Sequence, residues 1–147
     1  MVTRYQKRLS GPILDRIDMH LEVQRVEFDD LASNEPGESS LTIRRRVTAA
    51  RTRQWRRFAE HPSVTCNAEM RVGDIRVYCE LDPPSATLLR RAVDSFSLSA
   101  RAYHRVLRVA KTIADLEDSD NIELRHLAEA IQYQPRSQYP PARVRGP

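Results

Sequence analysis

Over the second half of the chain, apolar residues recur every three or four positions, the period of a helix that buries one face. The longest such stripe is Leu98, Ala102, Val106, Val109, Ile113 and Leu116, and it predicts an extended helix after Ser97-Leu98-Ser99. Before it, Leu88, Leu89, Ala92, Val93 and Phe96 predict a helix over about 85–95, introduced by Asp82-Pro83-Pro84-Ser85. Ile43, Val47, Ala50, Gln54 and Phe58 share a face, with Trp55 beside it, and predict a helix over about 41–60. Ser39 or Ser40 can cap that helix, and His61-Pro62 is its expected stop, because the residue before a proline resists the α region. A last helix, over about 123–133, follows from Leu124, Leu127, Ala128 and Ile131 after the polar turn 117–121.

The first third of the chain has a different rhythm. Ser10-Gly11-Pro12 reads as a helix start and leads to a short helical segment through Ile17. Met19, Leu21 and Val23 then alternate with His20, Glu22 and Gln24, the period of a strand with one buried face. One strand needs neighbours that the remaining sequence hardly supplies. An acidic loop with breakers follows, ending in Asn34-Glu35-Pro36-Gly37. The stretch 63–81 stays open: Asn67-Ala68-Glu69-Met70 fits a helical turn and residues 75–79 a short strand, each too short to decide. From Gln134 onward, proline and arginine without a periodic stripe predict a disordered tail over 135–147. The expected fold class is therefore mainly α: a helical bundle preceded by a short helix and one or a few strands.

Composition narrows the function classes. The 147 residues contain no apolar run near the roughly 20 needed to cross a bilayer, so no membrane role is expected. The basic N-terminus lacks the apolar segment of a secretory signal, which predicts a cytoplasmic protein. Cys66 and Cys79 have neither CxxC spacing nor a histidine at zinc-finger spacing, so no metal site is expected and both read as small buried hydrophobes. The net charge of +4 is built from 22 arginines and only two lysines, Lys7 and Lys111. A G+C-rich genome yields the same bias, yet arginine is also the side chain suited to forked contact with phosphate.

Three stretches resemble one family. YQKRLSGPILDRIDMHLEV, SFSLSARAYHRVLRVAKTIADLED and NIELRHLAEAIQYQPR are similar to the end of the ATPase core and the C-terminal lid of the magnesium-chelatase-like AAA+ proteins, nearest to the bacterial ComM/YifB subfamily. The resemblance covers about residues 2–136. It implies the closing part of an ATPase core over 1–30, a helical lid over 38–134 and a tail beyond. No GxxxxGK[ST] is present among the four glycines, Gly11, Gly37, Gly73 and Gly146, and no Walker B carboxylate is found. The expectation is a C-terminal fragment of a larger ATPase that uses ATP and Mg2+, inactive and cofactor-free by itself, whose partners are the missing core, neighbouring subunits of a homohexamer and DNA.

Individual roles follow from the same resemblance. Arg16, within ILDRID, matches the arginine finger presented to the ATP of a neighbouring subunit, with a salt bridge to the flanking Asp15 or Asp18 as the plainer reading. Arg101, within SLSARAYHR, matches sensor 2, which meets the γ-phosphate in the same subunit. From the residues alone, Arg101 falls in the first turn of its helix, where exposed amides favour anions. Arg105 and Arg108 are expected on the solvated face, and His20, His104 and His126 lack a carboxylate at catalytic spacing. Glu123 replaces the Ser or Thr common at the start of the family's last helix. Seven arginines crowd TIRRRVTAARTRQWRRF, and Arg45, Arg53 and Arg56 are candidate nucleic-acid contacts on electrostatic grounds. ATP-driven branch migration of DNA is the leading expectation. A metal-insertion chelatase motor and a non-enzymatic arginine-rich nucleic-acid-binding module are the alternatives.

Overall fold

A computed structural model describes residues 16–23, 25 and 37–134. Five α-helices appear among them: α1 (Ser40–Arg57), α2 (Val72–Tyr78), α3 (Pro83–Phe96), α4 (Ala100–Leu116) and α5 (Leu124–Gln132), with a 3-10 turn at Asn67–Glu69. The expected short helix before Ile17 and the tail after Gln134 lie outside the described residues.

The helix starts have chemical causes. Ser39 caps α1 by accepting from the Thr42 amide at 3.2 Å, Asp82 caps α3 through the Ser85 amide at 2.8 Å, and Ser99 caps α4 through the Ala102 amide at 3.2 Å. Each satisfies one of the amides that a helix start leaves open. In α5 the chain uses Glu123 instead, and the His126 ring accepts from its backbone amide at 3.0 Å. α1 ends at Arg57, short of the expected Glu60, with Phe58 as its cap. α3 ends where Ser97 takes a left-handed conformation, φ 50°.

One open stretch is decided and one expected strand is corrected. Residues 75–79 belong to a helix, α2 and its C-cap. The Asp74 carboxylate accepts from the Arg71 amide at 2.7 Å, and Ile75 and Cys79, four residues apart, are both buried. Met19, Leu21 and Val23 form no strand. Leu21 and Val23 are 70% and 90% exposed, and among the described residues no sheet covers their apolar face.

α4 is the central helix, touching α1, α2, α5 and the 3-10 turn, while α3 packs on α5. Val106, Ala110, Ala114, Leu127 and Ala130 are fully buried there, joined by Phe58, Val64, Met70, Ile75 and Leu89. Burial pushes the Cys79 thiol up to about 11, so this cysteine acts as an inert apolar residue, and both cysteines are free. The second half of α1 buries Ala50 and Gln54, whereas Ile43 and Val47, expected inward, are exposed in its first half.

A polar clamp joins α1, the 3-10 turn and α4. Arg57 donates through both terminal nitrogens to the two carboxylate oxygens of fully buried Asp115, and also to Asn67 Oδ1 at 3.0 Å. Asn67 Nδ2 donates to the same carboxylate at 2.7 Å and lies 3.1 Å from Thr112 Oγ1. Removing one partner of a buried ion pair strands the other charge, whereas an exposed pair is worth little. Asp115→Ala is therefore expected to cost about 3–5 kcal/mol in urea unfolding. Arg46→Ala, which breaks the exposed pair with Glu38, should cost at most about 1 kcal/mol.

Candidate functional site

The start of α4 presents Arg101. With Ser99 closing the cap, Arg101 lies in the first turn and is solvent-exposed, so a permanent positive charge stands beside the positive end of a helix dipole. That combination is chemically suited to a phosphate. Ser99, and not Ser97, supplies that cap.

One turn further along, the expectation for Arg105 fails. Instead of the solvated face it takes a buried position, 3% exposed, and its guanidinium reaches from the helical body to the chain around Arg16. Arg105 Nη1 donates to the Ile17 carbonyl at 2.5 Å, and its Nε stands 4.0 Å from the Asp18 carboxylate. The His20 amide donates to the Tyr133 carbonyl at 2.8 Å, a second tie at the end of α5. Residues 17–20 are thereby fixed to the helical body, with exposed Arg16 immediately before them. The spacing held the clue: Arg105 is three residues after Ala102 and four before Val109, within the buried stripe. Charge argues against burial, and a carbonyl and a carboxylate from a distant segment help to make it tolerable.

Arg108 also leaves the solvated face, donating to the Ala68 carbonyl at 3.1 Å from a half-buried position. His126 is fully buried, and its Nε2 lies 3.1 Å from Glu117, so this histidine has a carboxylate partner after all. Arg125 and His126 together hold the Glu117 carboxyl below its ordinary value. Their placement at the α4–α5 junction makes the trio structural. Lys111 is buried, its ammonium donating to the Asp120 carbonyl, and desolvation lowers its pKa. Among the described residues, no group of three or more His, Cys, Asp or Glu could hold a metal ion, and no helix is long and apolar enough to cross a membrane.

The arginines of α1 separate into two sets. Arg53 is pinned to Asp118 and Asp120, and its bond to the Asp118 carbonyl at 2.8 Å steadies a residue in the left-handed region, φ 60°. Arg57 belongs to the buried clamp. Arg45 and Arg56 are exposed and form no ion pair among the described residues. All four line one open groove of about 960 Å3, well away from Arg101 in sequence and on a different helix.

Comparison with known proteins gives a consistent picture. The family model of the C-terminal region of magnesium chelatase subunit ChlI matches residues 37–134, and that of subunit ChlI itself matches residues 1–31. The chain is 43% identical over 131 residues to an uncharacterized protein, YifB, of Escherichia coli (strain K12), covering 88% of this chain and 25% of that protein. It is 38% identical over 133 residues to the competence protein ComM of Haemophilus influenzae, covering 90% of this chain and 25% of the relative. The chain thus spans about a quarter of the length of these relatives.

The tie between α4 and residues 17–20 is testable by hydrogen exchange. Arg105→Met keeps the buried volume but removes the donor. The amides of residues 17–20 should then exchange about tenfold faster or more, as expected for a charged hydrogen bond worth about 1.5–3 kcal/mol, while α5 amides stay protected. Unchanged exchange in residues 17–20 would show that Arg105 does not hold them.

Proposed function

The chain belongs to the magnesium chelatase ChlI C-terminal family, and from that premise we propose that it is the helical lid, with the last segment of the nucleotide-binding core, of an AAA+ ATPase that works as a homohexameric ring on DNA in the cytoplasm. Arg101 is the sensor 2 residue, directed at the γ-phosphate of ATP bound by its own subunit. Arg16 is the finger directed at the ATP of the neighbouring subunit. Bound ATP supplies the phosphoryl bond whose hydrolysis drives the ring. Magnesium accompanies the ATP in this reading.

A single observation carries this reading: exposed Arg101 and buried Arg105 lie one turn apart on α4, and Arg105 grips the carbonyl next to Arg16. A lid that tilts toward its nucleotide through Arg101 would pull on the finger segment through Arg105. Arginine suits both ends of that linkage, because its charge is permanent and its fork is rigid. The finger's task is to meet charge on the transferred phosphoryl group, an effect worth about 10³–10⁵ in rate.

Kinship with a competence protein supports DNA as the substrate, and ATP-driven branch migration is the work this reading assigns to the ring. The family description supports a second reading, a motor subunit for metal insertion into a porphyrin. Turnover by the longer protein, measured with and without branched DNA, separates them. The DNA motor is expected to be stimulated by branched DNA, and Arg16→Ala should retain ATP binding while losing at least about a hundredfold in turnover. Turnover indifferent to DNA would favour the chelatase reading, and full turnover in Arg16→Ala would remove the finger assignment.

A further inference from the structure

The basic groove on α1 has no part in the nucleotide chemistry just described, and its geometry is unlike that of a solvated helix face. At about 100° per residue, Arg45, Ala49, Thr52 and Arg56 fall on one side of α1, opposite Ala50 and Gln54, which pack on the body. Small side chains form the floor and arginines stand at both ends. A rise of about 1.5 Å per residue sets Arg45 and Arg56 roughly 16 Å apart along the axis. Arg53, on the flank, is held in place by Asp118 and Asp120 rather than left to wander.

We propose that this groove binds the sugar–phosphate backbone of a nucleic-acid duplex, with Arg45 and Arg56 as the phosphate contacts. Charge complementarity selects a polyanion: five arginines line the groove against two aspartates. Its open form and shallow floor of Thr48, Ala49 and Thr52 admit a rigid rod. A protein partner would call for an apolar anchor at the centre, and the groove has none. No aromatic ring lines it either, exposed Trp55 not being among its lining residues, so unpaired bases have nothing within the groove to stack on and duplex is favoured over single strand. Contacts of this kind read backbone and not sequence. Asp118 and Asp120 set the strength, because they offset charge at the rim while fixing Arg53. The choice of polymer rests on the DNA reading above, but the groove itself does not.

Fluorescence anisotropy of the chain with a labelled 20-base-pair DNA duplex, from about 50 to 200 mM salt, tests this directly. Wild type should bind with an affinity that falls steeply with salt. Arg45→Ala/Arg56→Ala, both exposed and so harmless to folding, should weaken binding at least about fivefold at low salt and reduce the salt slope by about 2. Asp118→Asn, with circular dichroism confirming the fold, should tighten binding. An unchanged affinity and slope in the double arginine variant would overturn the proposal. So would capture of poly-glutamate as tight as that of duplex and equally sensitive to the two arginines, which would assign the groove to an acidic protein. Either failure would leave the nucleotide roles of Arg16 and Arg101 standing, since those are read from ATP turnover of the longer protein.

Discussion

Asp115 carries a negative charge near the C-terminal end of α4, where the helix dipole disfavours it, and it is buried besides. The position is tolerable because Arg57, at the C-terminal end of α1 where a cation is favoured, forks onto both carboxylate oxygens, and Asn67 adds a further donor. Three elements distant in sequence are thereby set at one point. Apolar burial around Val106, Ala110 and Leu127 supplies the bulk of the stability, but it is indifferent to direction. The clamp fixes how α1 lies on α4, and with it where the arginines of α1 stand. Arg53 and Arg57 are drawn toward the body by Asp115, Asp118 and Asp120, while Arg45 and Arg56 are left in solvent.

A second buried arginine does for function what Arg57 does for the fold. Arg105 links the helical body to a segment almost ninety residues earlier, at the carbonyl beside Arg16. Burying a guanidinium is costly unless its donors are met, so the helical body and residues 17–20 are energetically bound to each other. In a ring ATPase, where one arginine senses nucleotide within a subunit and another completes the site next door, such a tie would make the two events interdependent.

Much of this was legible in the sequence because helices announce themselves by period. Leu98 through Leu116 marks α4, and Asp82-Pro83 marks the start of α3. Residues 75–79 stay open in the sequence because five residues are too few to tell a strand from a helical turn, while the deciding signal, Asp74 capping the Arg71 amide, is local polar chemistry. Met19, Leu21 and Val23 misled, since alternation specifies a strand only when a sheet is there to receive it. Arg16 and Arg101 came from resemblance, which names positions but not their surroundings. Arg105 was hidden because charge was weighed above spacing, and its partners, the Ile17 carbonyl and Asp18, are separated from it by most of the chain.

The central claim is that one subunit supplies sensor 2 and the next supplies the finger, and mixing two inactive proteins tests it. Longer protein carrying Arg16→Ala retains Arg101, and protein carrying Arg101→Ala retains Arg16. Co-assembled rings contain sites where nucleotide on the first faces the finger of the second, so ATP turnover of the mixture should rise well above the sum of the two variants measured alone. Turnover no greater than that sum, in rings shown to contain both variants, would contradict an arrangement in which the two arginines meet the same nucleotide from adjacent subunits.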